Sequence, residues 1–234
     1  MNAAALSALQ EIDSALDAIA NKRPRLAEVT AHQSATAALT ALRATIVAAD
    51  KRVAAAQTSI ETAEHASAAL TTKRTRLEAQ LKTVIAPREA EALMHEIATI
   101  NGQRSGLDDD ELAALDALGE GEAELSALGA ELPGCESQVA AALAALNTVA
   151  AGLDAEAGEL TVRRETAVAQ LSTDELTRYQ QVRAQFHGLG VARLEGSHCS
   201  GCHMDLSPAE LDGVKSAPAG EVSECPQCGR ILVR

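Results

Sequence analysis

Apolar residues recur every three to four positions along much of this chain, and polar residues fill the positions between them. The first long series is broken only at Ser67 and Arg74. Its apolar members are Leu39, Leu42, Ile46, Ala49, Val53, Ala56, Ile60, Ala63, Leu70, Leu77, Leu81 and Val84. This alternation is typical of a coiled-coil seam, which is narrower than the apolar stripe of a globular helix.

A shorter series with the same period comes earlier in the chain. Its members are Leu9, Ile12, Leu16 and Ile19. Pro24 follows, and proline removes a backbone N–H and clashes with the preceding helical turn. We therefore predict a kink or loop near residues 21–25.

A second long series covers the middle of the chain. Its apolar members are Leu93, Ile97, Ile100, Leu107, Ala114, Leu118, Leu125, Leu128, Leu132, Cys135, Val139, Ala142, Leu146, Val149, Leu153 and Leu160. Arg104, Glu111 and Gly121 are expected to weaken this seam locally, and Pro133-Gly134 is expected to bend it. Cys135 occupies a seam position, where we interpret it as a small apolar side chain.

The two long seams are separated by a very short link. One helix is expected to end near residue 85, and Pro87 suits the first turn of the next helix. Two helices joined so closely must pack antiparallel, as a helical hairpin. The sequence therefore predicts a mainly α protein in which residues 1–190 form a long, kinked antiparallel coiled-coil hairpin with its turn near 85–88.

Aromatic residues are almost absent, which excludes the aromatic-rich core of an ordinary globular domain. The 234 residues include one Tyr, one Phe and no Trp. Tyr179 and Phe186 are seven residues apart, so they lie on one face of the helix that a capping box at Ser172 predicts. We interpret them as an anchor that packs this helix against the hairpin base or the C-terminal module.

Residues 191–234 are predicted to form a second, small domain. Short strands are expected at 191–196, 221–225 and 230–233. Ser207, followed by Pro208, predicts a short helix that runs to about Lys215. A module of ~40 residues buries too little apolar surface to fold alone, so a bound metal is expected to supply much of its folding free energy.

The cysteines of this module are arranged as two Cys-x-x-Cys pairs. The pairs are Cys199 with Cys202 and Cys225 with Cys228. Two such turns that face each other make a tetrahedral four-sulfur site, the geometry of structural zinc, so we predict a C4 zinc ribbon that holds one structural Zn²⁺. Gly201 and Gly229 are expected to supply the positive φ angles that aim backbone N–H groups at the sulfurs.

Other interpretations of the four thiols stay open on the sequence alone. Mononuclear iron also takes four thiolates, although such sites usually pack aromatic residues that this segment lacks. Two disulfides need an oxidising compartment, and no secretory signal opens the chain. A catalytic zinc needs an open coordination position, which four sulfurs do not leave. His198 and His203 flank the first pair and are interpreted as bystanders or hydrogen-bond neighbours.

Charge is distributed unevenly along the chain, whose net charge is −13. That value argues against broad binding to nucleic acid or to an anionic membrane. Lys and Arg are absent between Ser105 and Val162, where acidic residues are numerous. Cations gather instead near the predicted hairpin tip: Lys73, Arg74, Arg76, Lys82 and Arg88. Solvated helix surface is the default explanation, and the sharper hypothesis is contact between the tip and a nucleic acid or another partner.

No stretch approaches 18 strongly apolar residues without a charge, so no transmembrane helix is expected. A cytoplasmic location is expected because no secretory signal is recognised. The sequence also contains no phosphate-binding glycine loop and no plausible nucleophile–base pair, which argues against an enzyme and against a small-molecule substrate.

Particular residues of the ribbon and of the turn form a known pattern. In the ribbon they are Leu194, Gly196, Cys199, Cys202, Met204, Leu206 and the run Cys225-Pro226-x-Cys228-Gly229-Arg230-Ile231-Leu232; at the turn they are Pro87-Arg88-Glu89, Leu93, Glu96 and Ile97. The chain resembles the bacterial coiled-coil/C4-type zinc-ribbon family, long a domain of unknown function. Ala86 and Ala90 replace the Asn and the aromatic residue that usually flank the family's turn motif.

The resemblance implies a binding function and no enzymatic activity. Family members are described as adaptor or chaperone-like proteins, with partners such as a sigma factor or secretion and flagellar components, and some are linked to RNA. We therefore expect an adaptor that binds other proteins through its hairpin and ribbon. The alternative is a nucleic-acid- or ribosome-associated zinc-ribbon protein acting in transcription or translation. The ribbon argues against that alternative, since it has more acidic than basic residues and no aromatic to stack a base.

Overall fold

The computed structural model describes residues 2–216, 218 and 222–234. Its helices are α1 (Ala3–Lys22), α2 (Ala27–Leu81), α3 (Pro87–Val168), α4 (Thr173–Gln185) and α5 (Pro208–Lys215), with a 3-10 turn at Arg23–Arg25. Its strands are β1 (Val191–Glu195), β2 (His198–Cys199), β3 (Ser223–Glu224) and β4 (Ile231–Val233). Two compact units result: residues 1–32 with 142–234, and residues 33–141.

Within residues 33–141, α2 and α3 pack along an apolar seam. Their buried members are Ala49, Val53, Ala56, Ala63, Leu77, Ile100 and Ala114. Ion pairs join Arg43 to Glu136 and Lys73 to Glu96, both at 2.8 Å. Because the residue numbers fall along α3 as they rise along α2, the two helices run antiparallel. The hairpin that the seam periodicity predicts is therefore present.

The connection between α2 and α3 lies close to its predicted place. The helix start at Pro87 is confirmed, whereas α2 ends at Leu81, slightly before residue 85. The N–H groups of Thr83 and Val84 both donate to the carbonyl oxygen of Gln80 and close the last turn. α3 continues as helix through Pro133, and the predicted bend there stays a prediction.

Gly121 is a tightly packed seam position, contrary to the expectation that it weakens the seam. It is buried, and a Cβ built on it would lie 2.8 Å from Cγ2 of Val53. Glycine lets α2 and α3 approach more closely here than any residue with a side chain would allow. Gly129 on the same helix has no neighbour within 4 Å of its built Cβ.

Alanine substitution should distinguish these two glycines. Gly121→Ala is expected to lower stability by about 1–2 kcal/mol, because the added methyl group meets a β-branched side chain whose rotamer is fixed in a helix. Gly129→Ala is expected to raise stability by about 0.5–1 kcal/mol, because only helix propensity changes. Urea unfolding followed by circular dichroism measures both, and equal effects would contradict the close packing at Gly121.

The unit formed by residues 1–32 and 142–234 has a core of its own. α1, α4, the end of α3 and strands β1 and β4 all contribute to it, through Leu6, Leu9, Ile12, Ile19, Leu26, Leu153, Leu160, Ala167, Tyr179, Val182, Val191, Ile231 and Val233. The predicted break between α1 and α2 is confirmed, since the 3-10 turn contains Pro24. Strands and helices share this core, and the predicted domain boundary at residue 190 stays a prediction about independent folding.

The two aromatic residues act as the predicted anchor. Ser172 caps α4 in the predicted capping box with Glu175. Tyr179 is fully buried in the core of this unit, and Phe186 packs against the same core while half-buried. The guanidinium group of Arg230 lies over the ring of Phe186, 4.3 Å from its centroid, a cation–π contact that ties α4 to the ribbon.

The ribbon is built on a four-stranded sheet with the order β2-β1-β4-β3. β1 pairs parallel with β4, while the β1–β2 and β3–β4 pairs are antiparallel. The predicted strands at 191–196 and 230–233 correspond to β1 and β4. The strand predicted at 221–225 shortens to β3, with Glu221 outside the described residues. β2 was not predicted, because two residues carry no periodic signal.

One described helix, α3, satisfies the length and composition criterion for a membrane span. It contains an 18-residue window with a mean hydropathy of 1.3, of which 6% is buried. The sequence-based expectation considered strongly apolar residues, but the average passes because many alanines raise it. A single such helix is weak evidence for a span, and the absence of a transmembrane helix stays a prediction.

Candidate metal centre and its attachment to the helices

The four ribbon cysteines converge on one point. The sulfur atoms of Cys199, Cys202, Cys225 and Cys228 all lie within 4.8 Å of one another, and those of Cys202 and Cys225 are 3.9 Å apart. A tetrahedral zinc site with Zn–S bonds of ~2.3 Å places its sulfurs about 3.8 Å apart. The observed distance between the sulfur atoms of Cys202 and Cys225 is far longer than the ~2.05 Å of a disulfide bond. The donor set therefore fits a single tetrahedral metal ion.

Each cysteine pair sits in a tight turn at the end of a strand. β2 ends at Cys199, whose carbonyl oxygen accepts from the N–H of His203 at 2.9 Å. β3 leads into Cys225, whose carbonyl oxygen accepts from the N–H of Gly229 at 2.7 Å. These bonds close each turn so that both sulfurs of a pair project to the same side. The pairs face each other across the sheet because β1 and β4 are neighbours.

The prediction that glycines supply positive φ angles holds for one of the two turns. Gly229 has φ +78°, but the corresponding residue after the first pair is His203, with φ +61°. Gly201 is needed for space instead. A Cβ built on it would lie 2.8 Å from Cδ of Arg230 and 2.9 Å from Cβ of Ala192, closer than side-chain atoms approach.

The thiols differ in acidity. Burial raises the pKa of Cys225 to about 12, and burial also raises the pKa of Cys202. Burial acts in the same direction on Cys228, but hydrogen bonds from the backbone and side chain of Arg230 outweigh it and lower the pKa. Metal binding requires thiolates, so it releases the protons that the buried thiols still carry.

The two histidines beside the first pair remain outside the group of four sulfurs. Nδ1 of His198 lies 3.5 Å from a carboxylate oxygen of Asp205, and the His198 and His203 rings are 5.7 Å apart. Both histidines are neighbours of the cysteines, as the sequence interpretation proposed, and neither is needed to complete the donor set. Cys135 lies on α3, half-buried.

Gln10 attaches the ribbon to α1, a role that the sequence analysis missed. Its side-chain oxygen accepts from the N–H groups of Gly190 and Val191 at 2.7 and 3.0 Å, and its Nε2 donates to the carbonyl oxygen of Gly188 at 2.9 Å. Gln10 is 6% exposed. One buried amide thus fixes the segment that leads from α4 into β1. These contacts join residues near opposite ends of the chain, so no local sequence pattern predicts them.

Asp13, one turn further along α1, joins three elements and was also missed. Its carboxylate accepts from Nε of Arg164 at 2.6 Å and from the hydroxyl group of Tyr179 at 2.8 Å. Nε of Arg183 lies 3.6 Å away, within ion-pair range. The only sequence signal is position, because Asp13 lies four residues after Leu9 and three before Leu16, on the apolar face.

The hydroxyl group of Tyr179 is expected to resist ionisation. Burial, followed by the hydrogen bond to Asp13, raises its pKa well above the usual value near 10. Because the pKa of Tyr179 is higher in the folded than in the unfolded chain, its contribution to folding stability is fully present below pH ~10. That contribution is lost as pH rises beyond that value. Tyr179 is the single tyrosine, so ultraviolet titration should show no tyrosinate until alkaline unfolding. Ionisation near pH 10 with intact helices would contradict the buried contact; the urea-unfolded chain is the control.

The predicted tip cations are only partly free. Lys73 pairs with Glu96, and Nε of Arg74 lies 3.3 Å from Glu78. Arg76, Lys82 and Arg88 are exposed and form no ion pair within the described part of the chain. Lys82 and Arg88 lie beside the α2–α3 connection. Contact between this tip and nucleic acid or a partner stays a prediction, for which three cations are available.

Two family models match the chain. The model of the CT398-like coiled coil hairpin domain matches residues 9–187, well over half of the chain. The chain belongs to this family. The model of the C4-type zinc ribbon domain matches residues 198–232. The resemblance inferred from the sequence and the predicted fold class are both confirmed.

Curated relatives come from mycobacteria. The chain is similar to the uncharacterized proteins MT2288 and Rv2229c from two strains of Mycobacterium tuberculosis, each 30% identical over 142 residues. The match covers 61% of this chain and 58% of each relative. This chain therefore aligns with less than two thirds of the length of those relatives.

Solved structures share the architecture. CT398 from Chlamydia trachomatis has a TM-score of 0.84 at 20% identity, with 97% of this chain and 96% of that chain covered. A protein from Mycobacterium smegmatis has a TM-score of 0.79 at 21% identity, with 99% and 98% covered. HP0958 from Helicobacter pylori has a TM-score of 0.62 at 14% identity, with 97% and 94% covered. At these identities the likeness concerns the fold alone.

Proposed function

We propose that this protein is a non-enzymatic, cytoplasmic adaptor or chaperone-like protein that binds other proteins through its helical hairpin and its zinc ribbon. One Zn²⁺, held by Cys199, Cys202, Cys225 and Cys228, stabilises the ribbon and takes no part in chemistry. The partners that the family resemblance implies are sigma factors and secretion or flagellar components, and a ribosomal component is the further candidate.

The observation that carries the proposal is the closed set of four sulfurs. Their mutual distances, all within 4.8 Å, fit a tetrahedron with a cysteine at each corner. A catalytic zinc keeps one position for water or substrate, whereas four cysteine sulfurs would occupy every position of a tetrahedral ion held here. The ribbon is therefore better suited to present a rigid surface than to activate a substrate.

Exposed apolar side chains support protein as the class of partner. Val47 on α2 and Met204 beside the first cysteine pair are each 54% exposed. Large apolar groups exposed on a rigid surface are the usual core of protein contacts, and methionine adapts to differently shaped partners. Nucleic acid is the weaker candidate because Lys73 and Arg74 are already engaged by carboxylates.

The proposal is tested by placing a photo-crosslinking amino acid at Val47 or at Met204 in the native cell. Glu156, exposed on α3 and without an ion pair in the described chain, serves as the matched control position. We expect one of the first two positions to capture a defined protein that the control does not capture. Crosslinks to RNA alone, or identical capture at all three positions, would contradict the proposal.

A further inference from the structure

The outward face of α3 carries an unusual row of charges. The residues at one heptad position are Arg88, His95, Gly102, Asp109 and Asp116, all exposed. Gly102 lies two residues after the seam residue Ile100 and five after Ile97, so this position points away from α2. The row thus passes from a cation through glycine to two carboxylates.

The cationic and the anionic end of the row lie at equal distances from Gly102. Arg88 and Asp116 each lie two heptads from Gly102, about 21 Å along the helix at ~1.5 Å per residue. His95 and Asp109 each lie one heptad from it. A helix that meets a copy of itself in antiparallel orientation, with the twofold axis at Gly102, therefore brings opposite charges level on both sides of the axis.

Within the described residues of the chain, these charges serve no other contact. Arg88, Asp109 and Asp116 form no ion pair there, whereas other charges of the same helix do. Glu124 pairs with Arg52 and Glu136 with Arg43 across the hairpin. The hairpin's own stability therefore explains the paired carboxylates and leaves the outward row unexplained.

We propose that two copies of this chain associate through the outward faces of their α3 helices, antiparallel, with the twofold axis at Gly102. Arg88 of each copy then faces Asp116 of the other. The interface is isologous, so each favourable contact occurs twice. The proposal is independent of the adaptor function, since it concerns the purified chain alone.

The residues around the axis suit such a contact. Gly102 has no neighbour within 4 Å of its built Cβ, and glycine in an exposed helix interior costs about 0.5–1 kcal/mol relative to alanine. At a twofold axis the same glycine lets two backbones approach. Met94 and Leu112 are 54% and 61% exposed. In the antiparallel pair, Met94 of one copy and Leu112 of the other lie within one helical turn of each other along the helix axis. Glu91 of one copy lies opposite Ala113 of the other, so no second carboxylate repels it there.

A second copy is preferred over a foreign protein because both halves of the complementary surface lie on this one helix. A foreign partner would have to carry a basic and an acidic patch at matching separation. The chain already provides that arrangement. Charge complementarity fixes orientation and register in such helix pairs.

Charge reversal tests the proposal on the full, zinc-loaded chain by sedimentation velocity. Arg88→Glu alone and Asp116→Arg alone are each expected to weaken self-association about tenfold, because each creates two like-charge contacts. Mixing the two variants should restore association, since opposite charges meet again in the mixed dimer. Circular dichroism verifies that every variant is folded. Arg163→Glu and Glu156→Lys, exposed charge reversals outside the row, should change nothing.

A cysteine at the axis tests the register. Gly102→Cys in a Cys135→Ser background should give a covalent dimer with a short thiol crosslinker, because the residue meets its own copy. Gly129→Cys in the same background should not. A monomeric wild-type chain, a dimer indifferent to charge reversal, a mixture that fails to restore association, or equal crosslinking of the two cysteine variants would each overturn the proposal.

Discussion

Removal of the metal is expected to open the cysteine turns and leave the long helices intact. The turns enclose a small core of their own, whose buried members are Ala192, Cys199, Leu206, Val214, Cys225 and Leu232. Six residues bury too little apolar surface to hold a fold, so metal binding must supply the difference. Structural zinc sites provide apparent binding free energies of roughly 10–16 kcal/mol in small domains.

The structure narrows what should be lost on chelation. Val191, Ile231 and Val233 belong to the larger core formed with α1, α3 and α4, and Gln10 holds the start of β1. Amide exchange should therefore accelerate most between Gly196 and Gly229. α5 is the one described helix of the turn region, and its eight residues contribute little to the helical signal.

Circular dichroism and hydrogen exchange during chelation measure both effects. Cys225→Ser should reproduce the effect of chelation, and Cys135→Ser should leave metal content and ribbon protection unchanged. Loss of most of the helical signal together with the ribbon would show that the metal stabilises the long helices as well as the cysteine turns, which would contradict this prediction.

Replacement of Asp13 is expected to lower stability more than any other single change in the helices of the unit formed by residues 1–32 and 142–234. Asp13→Ala removes the partner of Arg164 and Tyr179 and leaves the nearby Arg183 without its buried carboxylate. Leaving the buried hydroxyl group of Tyr179 without its acceptor costs about 1–3 kcal/mol, and loss of the ion pair with the partly exposed Arg164 adds to that cost. In a chain of this size that corresponds to a fall of roughly 10 °C in Tm.

Asp17→Ala is the matched control for this experiment. Asp17 also bonds to Arg183, at 2.5 Å, but its side chain is 48% exposed, and exposed ion pairs contribute about 0–1 kcal/mol. The fluorescence of Tyr179, the single tyrosine, reports the unfolding of this unit in urea. Equal destabilisation by the two substitutions would contradict the buried network.

The periodic part of the fold follows from the sequence for a physical reason. A seam repeated over many turns must be covered by a second helix, and the short link between the two seams makes that pair antiparallel. Pro24 and Pro87 mark where helices stop and start. The cysteine spacing predicts the four-sulfur group equally well, since a Cys-x-x-Cys turn brings two sulfurs together without help from the rest of the chain.

What the sequence analysis missed depends on contacts between distant segments. In the sequence, Gln10 and Asp13 look like ordinary polar residues of a helix. Their roles depend on hydrogen bonds with residues more than 150 positions away. Gly121 was interpreted as a weak point because its close neighbour, Val53, lies on the other helix. Gly201 was given a conformational role when the need is space beside Arg230, which only the folded ribbon reveals.

X-ray absorption spectroscopy of the purified protein determines whether four cysteines close the metal site. We expect one zinc per chain with four sulfur neighbours at about 2.3 Å and no lighter ligand. A nitrogen or oxygen neighbour at about 2.0–2.2 Å would show an open or mixed site, and iron in place of zinc would show a different metal. Either result would contradict a zinc ion held by four cysteines, and an oxygen neighbour would also remove the main support for a binding rather than a catalytic function.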